Sequence, residues 1–149
     1  MVIQRAARSD LSSVLPLLER CELLLDGAAD TIGTMVVARD ASGLIGVAAV
    51  ELYTDGALLR SLAVAPGFRS QGVGGHLVDA ALGIAEEAGV SNVFLLTKTA
   101  ATFFPRFGFQ SIPRDQVPQS VQRSVEFSST CCASAIVMRK TLSGSAARH

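Results

Sequence analysis

The fold of this chain is decided by one stretch, Leu62-Ala63-Val64-Ala65-Pro66-Gly67-Phe68-Arg69-Ser70-Gln71-Gly72-Val73-Gly74-Gly75-His76-Leu77. It runs from an apolar strand through a glycine-rich turn directly into a helix. Glycines let the backbone approach a ligand without a Cβ in the way, and the first amides of the helix direct donors and a positive dipole end at one point. The stretch therefore predicts an anion site, and a pyrophosphate is its natural occupant.

Two common phosphate-binding motifs do not match this stretch. The dinucleotide fingerprint needs Gly-x-Gly-x-x-Gly, whereas the order here is Arg-x-x-Gly-x-Gly through Arg69, Gly72 and Gly74. The Walker loop ends in Gly-Lys-Ser or Gly-Lys-Thr, and no such triplet follows the glycines. The remaining alternatives are a different phosphate-bearing cofactor and a purely structural connection between strand and helix.

Length and charge favour a single domain with a small-molecule partner. The 149 residues carry 13 basic and 13 acidic side chains, so no excess positive charge indicates a nucleic acid or an anionic membrane. No apolar run approaches the roughly 20 residues that span a bilayer, and the first residues lack a signal-peptide pattern. We expect one domain over residues 1–142, a flexible tail over 143–149, a cytoplasmic location, and a monomer or homodimer.

Alternating patterns along the chain predict a mixed α/β fold with a mostly antiparallel sheet. Tight turns at residues 40–43 and 54–56 join three strands into a meander. Ser9 or Asp10 is expected to cap the first helix, and Ala88 to belong to the buried face of the helix after the glycine turn. The expected strands cover 2–5, 34–39, 44–53, 57–64, 92–97, 109–113 and 133–140, and the later helices begin near 73, 100 and 118.

The helix expected over residues 100–107 contains Pro105, which breaks a backbone hydrogen bond unless it lies in the first turn. We therefore expect a short or distorted helix there. Thr97 or Thr99 is expected to cap it, and Gly108 to end it.

The glycine turn resembles the acyl-CoA loop of the GCN5-related N-acetyltransferases, the GNAT family. Arg69, Gly72 and Gly74 match the family motif of Arg or Gln, two residues, Gly, one residue, and Gly or Ala. Ser70 departs from it, because Gly is common there. The segment Ala100-Ala101-Thr102-Phe103-Phe104-Pro105-Arg106-Phe107-Gly108-Phe109 is similar to the family's aromatic helix and Gly-Phe exit. The resemblance implies the GNAT acyl-CoA N-acyltransferase fold, in which one parallel strand pair of the mixed sheet splays apart.

The resemblance also implies acetyl-CoA as the co-substrate. Backbone groups of the strand before the loop would bind pantetheine, and the amide near Ala63 or Val64 would stabilise the developing oxyanion. Phe104 replaces a tyrosine that in many members protonates the departing thiolate. Another group or water supplies that proton, or the thiolate leaves unaided. The implied cofactor residues are Leu62, Ala63, Val64, Arg69, Ser70, Gln71, Gly72, Val73, Gly74, Gly75 and Phe104.

A narrower resemblance covers nearly the whole chain. It rests on Glu51-x-Tyr53, Leu58-Leu59-Arg60-Ser61-Leu62-Ala63-Val64, Leu95-Leu96-Thr97 and Glu126-Phe127-Ser128-Ser129. These are similar to short acetyltransferases associated with bacterial arsenic-resistance operons, a group similar in turn to amino-acid N-acetyltransferases. Its Cys-Pro-Ala-Ser-Ala element appears here as Cys131-Cys132-Ala133-Ser134-Ala135. The resemblance implies a small amino-acid-like amine acceptor, including arsenic- or phosphinate-containing ones.

Acetyl transfer to an amine needs a group that accepts the amine's proton. Glu51 lies near the end of the strand expected over 44–53, directly after apolar residues, and it is the first candidate for this base, either directly or through water. Glu126 is the second candidate. A surface carboxylate that only pairs with a neighbour is the structural alternative for Glu51.

Arg60, Ser61 and Thr97 are assigned to the acceptor side. Strand alternation puts Arg60, Leu62 and Val64 on one face, where a guanidinium fork suits a carboxylate or a similar acid. The alternative for Arg60 is a structural ion pair with Glu51 or Asp55.

Cys131 and Cys132 could suggest a soft-metal site, but adjacent cysteines on a strand point to opposite faces and no third cysteine is near. We predict no metal. The sequence thus predicts direct acetyl transfer to a small amine; the alternative is a non-catalytic acyl-CoA-binding regulatory module.

Overall fold

The computed structural model describes residues 1–69, 71–128 and 134–142. The strands are β1 (Val2–Arg5), β2 (Met35–Asp40), β3 (Gly43–Tyr53), β4 (Gly56–Val64), β5 (Asn92–Thr97), β6 (Gln110–Ser111) and β7 (Ile136–Thr141). The helices are α1 (Leu11–Arg20), α2 (Val73–Glu87), α3 (Gln119–Gln122) and α4 (Val125–Ser128). Short 3₁₀ turns cover Arg8–Asp10, Ala29–Thr34, Pro66–Phe68, Phe104–Phe107 and Arg114–Gln116.

Among the described residues, seven strands form one sheet in the order β1-β2-β3-β4-β5-β7-β6. Antiparallel pairing joins β1 to β2, β2 to β3, β5 to β7 and β6 to β7. Strands β4 and β5 pair in parallel, with Ala57 opposite Val93 and Leu58 opposite Phe94. The predicted mixed, mostly antiparallel sheet is confirmed. The splay beyond this parallel pairing stays a prediction.

The chain divides into two units, and the first comprises Met1–Val50 and Arg60–Ile84. Its core forms because α1 repeats apolar residues at helical spacing and so presents one buried face. That face packs with β2, β3 and the end of β4. Each fully buried leucine or valine contributes about 1.5–3 kcal/mol relative to an exposed one. The core residues are Val14, Leu17, Leu18, Ala28, Met35, Val37, Val47, Ala49, Ala63 and Ala65.

The second unit comprises Glu51–Leu59 and the described residues from Ala85 onward. Its core joins β4, β5 and β7 to the segment around α3. Tyr53, Leu96, Ile112 and Phe127 are half-buried around this core. The buried residues are Leu58, Phe94, Val117, Val121 and Val137.

Several predicted boundaries differ from the structure. The helix expected over 100–107 is a 3₁₀ turn at Phe104–Phe107, with Pro105 near its start and Gly108 at φ +91° closing it. Pro105 therefore shortens the helix, as expected from its missing amide. The strand expected over 109–113 narrows to Gln110–Ser111, and the last strand covers Ile136–Thr141. Ala88, predicted on the buried face of the helix after the glycine turn, is exposed, and α2 ends one residue earlier, at Glu87.

Asp10 precedes α1, but its carboxylate does not cap that helix. Oδ2 accepts a hydrogen bond from the Ala7 amide at 2.7 Å, which caps the preceding 3₁₀ turn, and Oδ1 pairs with Arg39. The prediction that Ser9 or Asp10 caps α1 is therefore wrong: Ser9 lies within the preceding 3₁₀ turn, and the Asp10 side chain caps that turn instead of α1. Predictions that concern Ser70, Ser129, Cys131, Cys132, Ala133 and the tail 143–149 lie outside the described residues.

Candidate active site

The end of β4 bends at Ser61, whose φ of +61° lies in the left-handed region. This region is rare for a residue with a Cβ, and it interrupts strand alternation. The prediction that Arg60, Leu62 and Val64 share one face by regular strand alternation is therefore wrong. Arg60, Ser61 and Ala63 are buried, whereas Leu62 and Val64 are half-buried.

The sequence predicts an anion site at the glycine turn after β4, where the structure describes Arg69 and residues 71–75. Gly72 has φ +83°, and its carbonyl accepts the first helical hydrogen bond, from the His76 amide at 3.2 Å. The amides of Val73, Gly74 and Gly75 therefore lie in the first turn of α2, where helix geometry supplies no carbonyl partner. Gln71 is exposed in the turn. These donors and the helix dipole suit a pyrophosphate.

Arg69 lies exposed beside this turn and is tied to the end of β4. Its Nε donates to the Val64 carbonyl at 3.2 Å, and its Nη2 approaches Cys21 Sγ at 3.5 Å. The Cys21 thiol in turn contacts the same Val64 carbonyl at 3.9 Å. No local sequence signal indicates Cys21 as a neighbour of this turn, because Cys21 lies 48 residues from Arg69.

Gly46 on β3 is a second residue of this region that lies outside the predicted site. A Cβ at this position would lie 2.7 Å from Leu77 Cδ1, 3.2 Å from the Ala63 carbonyl oxygen and 3.3 Å from Val73 Cγ1. Gly46 therefore lets the first turns of α2 approach β3 and β4. An isolated glycine inside a strand pattern is a signal for such a close approach.

We expect Gly46→Ala to lower the free energy of unfolding by about 1–3 kcal/mol, because the new methyl group overpacks this contact. Acetyl-CoA affinity should fall as well, since Val73 belongs to the predicted cofactor site. Urea unfolding and acetyl-CoA titration measure the two effects. Gly33→Ala is the matched control, because a Cβ there meets no atom within 4 Å. Equal stability of the two variants would contradict the role of Gly46.

In the second unit, Glu51 and Tyr53 form a hydrogen-bonded pair at the end of β3. The Tyr53 hydroxyl donates to Glu51 Oε1 at 2.5 Å, and both side chains are half-buried. Residues two apart on a strand share a face, so the sequence could have indicated this pair. Glu126, the alternative base, lies at the start of α4, where its amide donates to Ser124 Oγ at 3.1 Å.

Thr97 and Phe104 also belong to the second unit. Thr97 is buried, and its Oγ1 accepts from the Ala100 amide at 3.0 Å. The prediction that Thr97 or Thr99 caps the following helix is wrong, because the 3₁₀ turn at Phe104–Phe107 has Phe103 at its N-cap and no side-chain cap. Phe104 is buried, with ring centroids 5.2 Å from Phe103 and 5.8 Å from Phe109 in edge-to-face geometry. Such pairs fix the ring position.

The buried guanidinium of Arg60 is held by the first unit. Nε donates to Ser61 Oγ at 3.2 Å, and Nη2 donates to the carbonyls of Leu24 at 3.2 Å and Asp26 at 2.7 Å. Asp55, one of its predicted ion-pair partners, accepts from Ser120 Oγ at 3.0 Å in the second unit. Of the residues predicted for the acceptor side, Arg60 and Ser61 contact each other through this Nε bond.

Two absences apply to the part of the chain that the structure describes. Within residues 1–69, 71–128 and 134–142, no group of three or more His, Cys, Asp or Glu side chains could hold a metal ion. No helix among those residues is long and apolar enough to cross a membrane.

A mixed sheet whose strand β4 leads through a glycine turn to a helix N-terminus has an arrangement that suits an anionic, phosphate-bearing ligand. Comparison with known proteins identifies the family. Residues 31–111 match the acetyltransferase (GNAT) domain model. The chain belongs to the GNAT acetyltransferase family, as the resemblance of its loop implied.

Three relatives illustrate the similarity. An uncharacterised N-acetyltransferase from Chlorobaculum tepidum is 41% identical over 81 residues, which cover 54% of this chain and 52% of the relative. The chain thus spans about half the length of this curated relative.

The other two relatives are solved structures. Rv2747 from Mycobacterium tuberculosis, in complex with CoA and NLQ, has a TM-score of 0.81 at 23% identity over 95% of this chain and 99% of its own. N-acetylglutamate synthase from Neisseria gonorrhoeae, complexed with CoA and N-acetyl-glutamate, has the same TM-score and identity over 95% of this chain and 35% of its own. At this identity the two structures support the fold alone.

Proposed function

We propose that this protein transfers acetyl from acetyl-CoA to the amine of a small amino-acid-like acceptor by direct transfer. The observation that carries the proposal is the turn at Gly72, where positive φ leads into the first turn of α2 beside the exposed Arg69. A pyrophosphate needs this combination of close backbone approach, amide donors and one cation.

The cofactor would lie along β4 and the glycine turn. Leu62, Ala63 and Val64 would contact the pantetheine and thioester, with the amide of Ala63 or Val64 as the oxyanion donor. The bend at Ser61 supports this role, because it breaks the regular repeat just before these residues. Phe104 would lie near the thiol. The pyrophosphate would bind the glycine turn, whose residues are Arg69, Ser70, Gln71, Gly72, Val73, Gly74 and Gly75.

Glu51 would accept the proton of the attacking amine, directly or through water. Its bond from Tyr53 fixes one carboxylate oxygen and supports a defined orientation of the other. Glu126 is the alternative base. No step in this proposal requires a metal.

The acceptor would be served by Arg60, Ser61 and Thr97. The amino-acid ligand of the N-acetylglutamate synthase complex supports an amino-acid-like acceptor. We further propose that the chain is one domain over residues 1–142, belongs to the arsenic-resistance-associated group, accepts arsenic- or phosphinate-containing amino-acid analogues, and acts in the cytoplasm as a monomer or homodimer without nucleic-acid or membrane partners.

A panel of amino acids, amino-acid-like phosphinates and amino-acid-like arsenicals, scored by release of free CoA, tests this function. We expect at least one amine to make the protein release CoA faster than hydrolysis of acetyl-CoA alone does. The lack of a hydroxyl on Phe104 favours one second candidate function, that of a non-catalytic acyl-CoA-binding module. Tight acetyl-CoA binding without CoA release for any amine would establish that candidate instead.

We expect Phe104→Tyr to fold, because it adds one hydroxyl to an intact ring, and to keep or raise turnover through thiolate protonation. Phe104→Ala should instead destabilise the protein by removing a buried ring. Turnover against pH measures the first effect, with Phe103→Tyr as the control on a neighbouring ring. A fall in turnover for Phe104→Tyr at unchanged stability would contradict the assignment of Phe104 to the thiol side.

A further inference from the structure

Arg60 carries an arrangement that its predicted contact with a carboxylate does not explain. The side chain is only 4% exposed, and its Nη2 donates to two carbonyls of one irregular segment, those of Leu24 and Asp26. These partners lie 36 and 34 residues away in the sequence. Hydrogen bonds from an ionised donor are roughly twice as strong as neutral ones, so a single guanidinium holds this segment firmly.

The segment in question covers residues 21–28, between α1 and the 3₁₀ turn at Ala29–Thr34. Its backbone is unusual, because Glu22 has φ +59° and Gly27 has φ +81°. A left-handed conformation at a residue with a side chain persists only where the surroundings hold it. Leu23 and Leu25 are nevertheless exposed, so packing of these leucines does not supply that hold.

The same segment is tied to β4 at two points. At its start, the Cys21 thiol contacts the Val64 carbonyl and the Arg69 guanidinium. Further along, Arg60 binds the carbonyls of Leu24 and Asp26. These ties lie on either side of Leu62 and Ala63, the residues proposed to contact the thioester. The segment therefore borders the proposed reacting region.

We infer that Arg60 is a positioning residue, which fixes segment 21–28 beside β4 and so sets the shape of the acceptor site. The Nε bond to Ser61 Oγ fixes the guanidinium itself at the bend of β4. This inference rests on the proposed acetyl transfer. A direct contact with the acceptor's carboxylate and this positioning role differ in measurable ways.

Hydrogen exchange tests the positioning role without any substrate. The Leu23 amide donates to Leu18 at 2.9 Å, and the Ala28 amide donates to Leu25 at 3.0 Å. In Arg60→Gly, exchange at both amides should accelerate about ten- to a hundredfold, as the loss of bonds to a charged group predicts. Millimolar guanidinium ion, below denaturing concentrations, should restore slow exchange. Arg60→Lys keeps the charge but lacks the guanidinium fork, so its exchange rate should lie between those of wild type and Arg60→Gly. This variant replaces Arg60→Gly in the test if Arg60→Gly does not fold.

Arg5→Gly is the matched control. Arg5 Nη1 also donates to a distant backbone carbonyl, that of Gly33 at 2.7 Å. Its loss should leave exchange at Leu23 and Ala28 unchanged.

Kinetics separate the two roles of Arg60. Positioning predicts that Arg60→Gly raises the acceptor KM by about tenfold, the equivalent of one weak charge-assisted bond, equally for a panel amine and its primary amide. Acetyl-CoA affinity should stay within about threefold of wild type, and guanidinium ion should lower the KM again. Unchanged exchange, or a loss confined to the free acid, would overturn the inference. If the wild-type protein acetylates no amine, the proposed function is refuted. Hydrogen exchange would still decide whether Arg60 holds segment 21–28.

Discussion

Gly72→Val should weaken acetyl-CoA binding by about ten- to a hundredfold, because valine cannot easily adopt the φ of +83° that the turn requires. A residue forced into this region costs about 1–3 kcal/mol. An added Cβ meets no protein atom within 4 Å, so the loss stems from backbone conformation and not from a clash in the free protein. A shifted turn would also misdirect the first amides of α2. Isothermal titration with acetyl-CoA measures the effect.

The control for this variant lies in α2, the helix that follows Gly72. Gly83 also has open space around its Cβ, but its φ is outside the left-handed region. Gly83→Val should therefore bind acetyl-CoA as wild type does. Thermal unfolding of both variants checks that the fold is retained. Undiminished affinity in a folded Gly72→Val protein would remove the basis of the cofactor assignment.

Glu51→Gln should lower turnover at saturating acceptor by about 10²- to 10⁴-fold, the usual range for loss of a general base. Glutamine preserves the shape of the side chain and can still accept the hydrogen bond from Tyr53. Acetyl-CoA affinity should therefore stay near the wild-type value. Steady-state kinetics with an amine found active in the panel, together with acetyl-CoA titration, measure the two quantities.

Two further carboxylates make the Glu51 experiment decisive. Glu19 lies exposed on α1, and Glu19→Gln should have no effect on turnover. Glu126→Gln tests the alternative base at the start of α4. Normal turnover in Glu51→Gln with a loss in Glu126→Gln would transfer the role to Glu126, and normal turnover in both would assign it to ordered water.

The local geometry of the glycine turn after β4 and of the end of the 3₁₀ turn at Phe104–Phe107 could be predicted from the sequence. Glycine is favoured where φ is positive, and Gly72 and Gly108 do have positive φ. The hairpin residues around 40–43 and 54–56 likewise predicted the boundaries of β2, β3 and β4 closely. Boundaries failed where neighbouring elements decide them, as at the short strand Gln110–Ser111, whose length depends on its pairing with β7.

The sequence by itself determined the family and the glycine turn between β4 and α2, because both depend on residues that are adjacent in the chain. Only the tertiary structure decided what Arg60 binds, how Cys21 reaches Arg69, and why Gly46 must lack a side chain. Each of these contacts joins residues far apart in the sequence. Local propensity and hydrophobic periodicity specify backbone shape and a buried face, but the partner of a buried polar group is set by which segments pack against it.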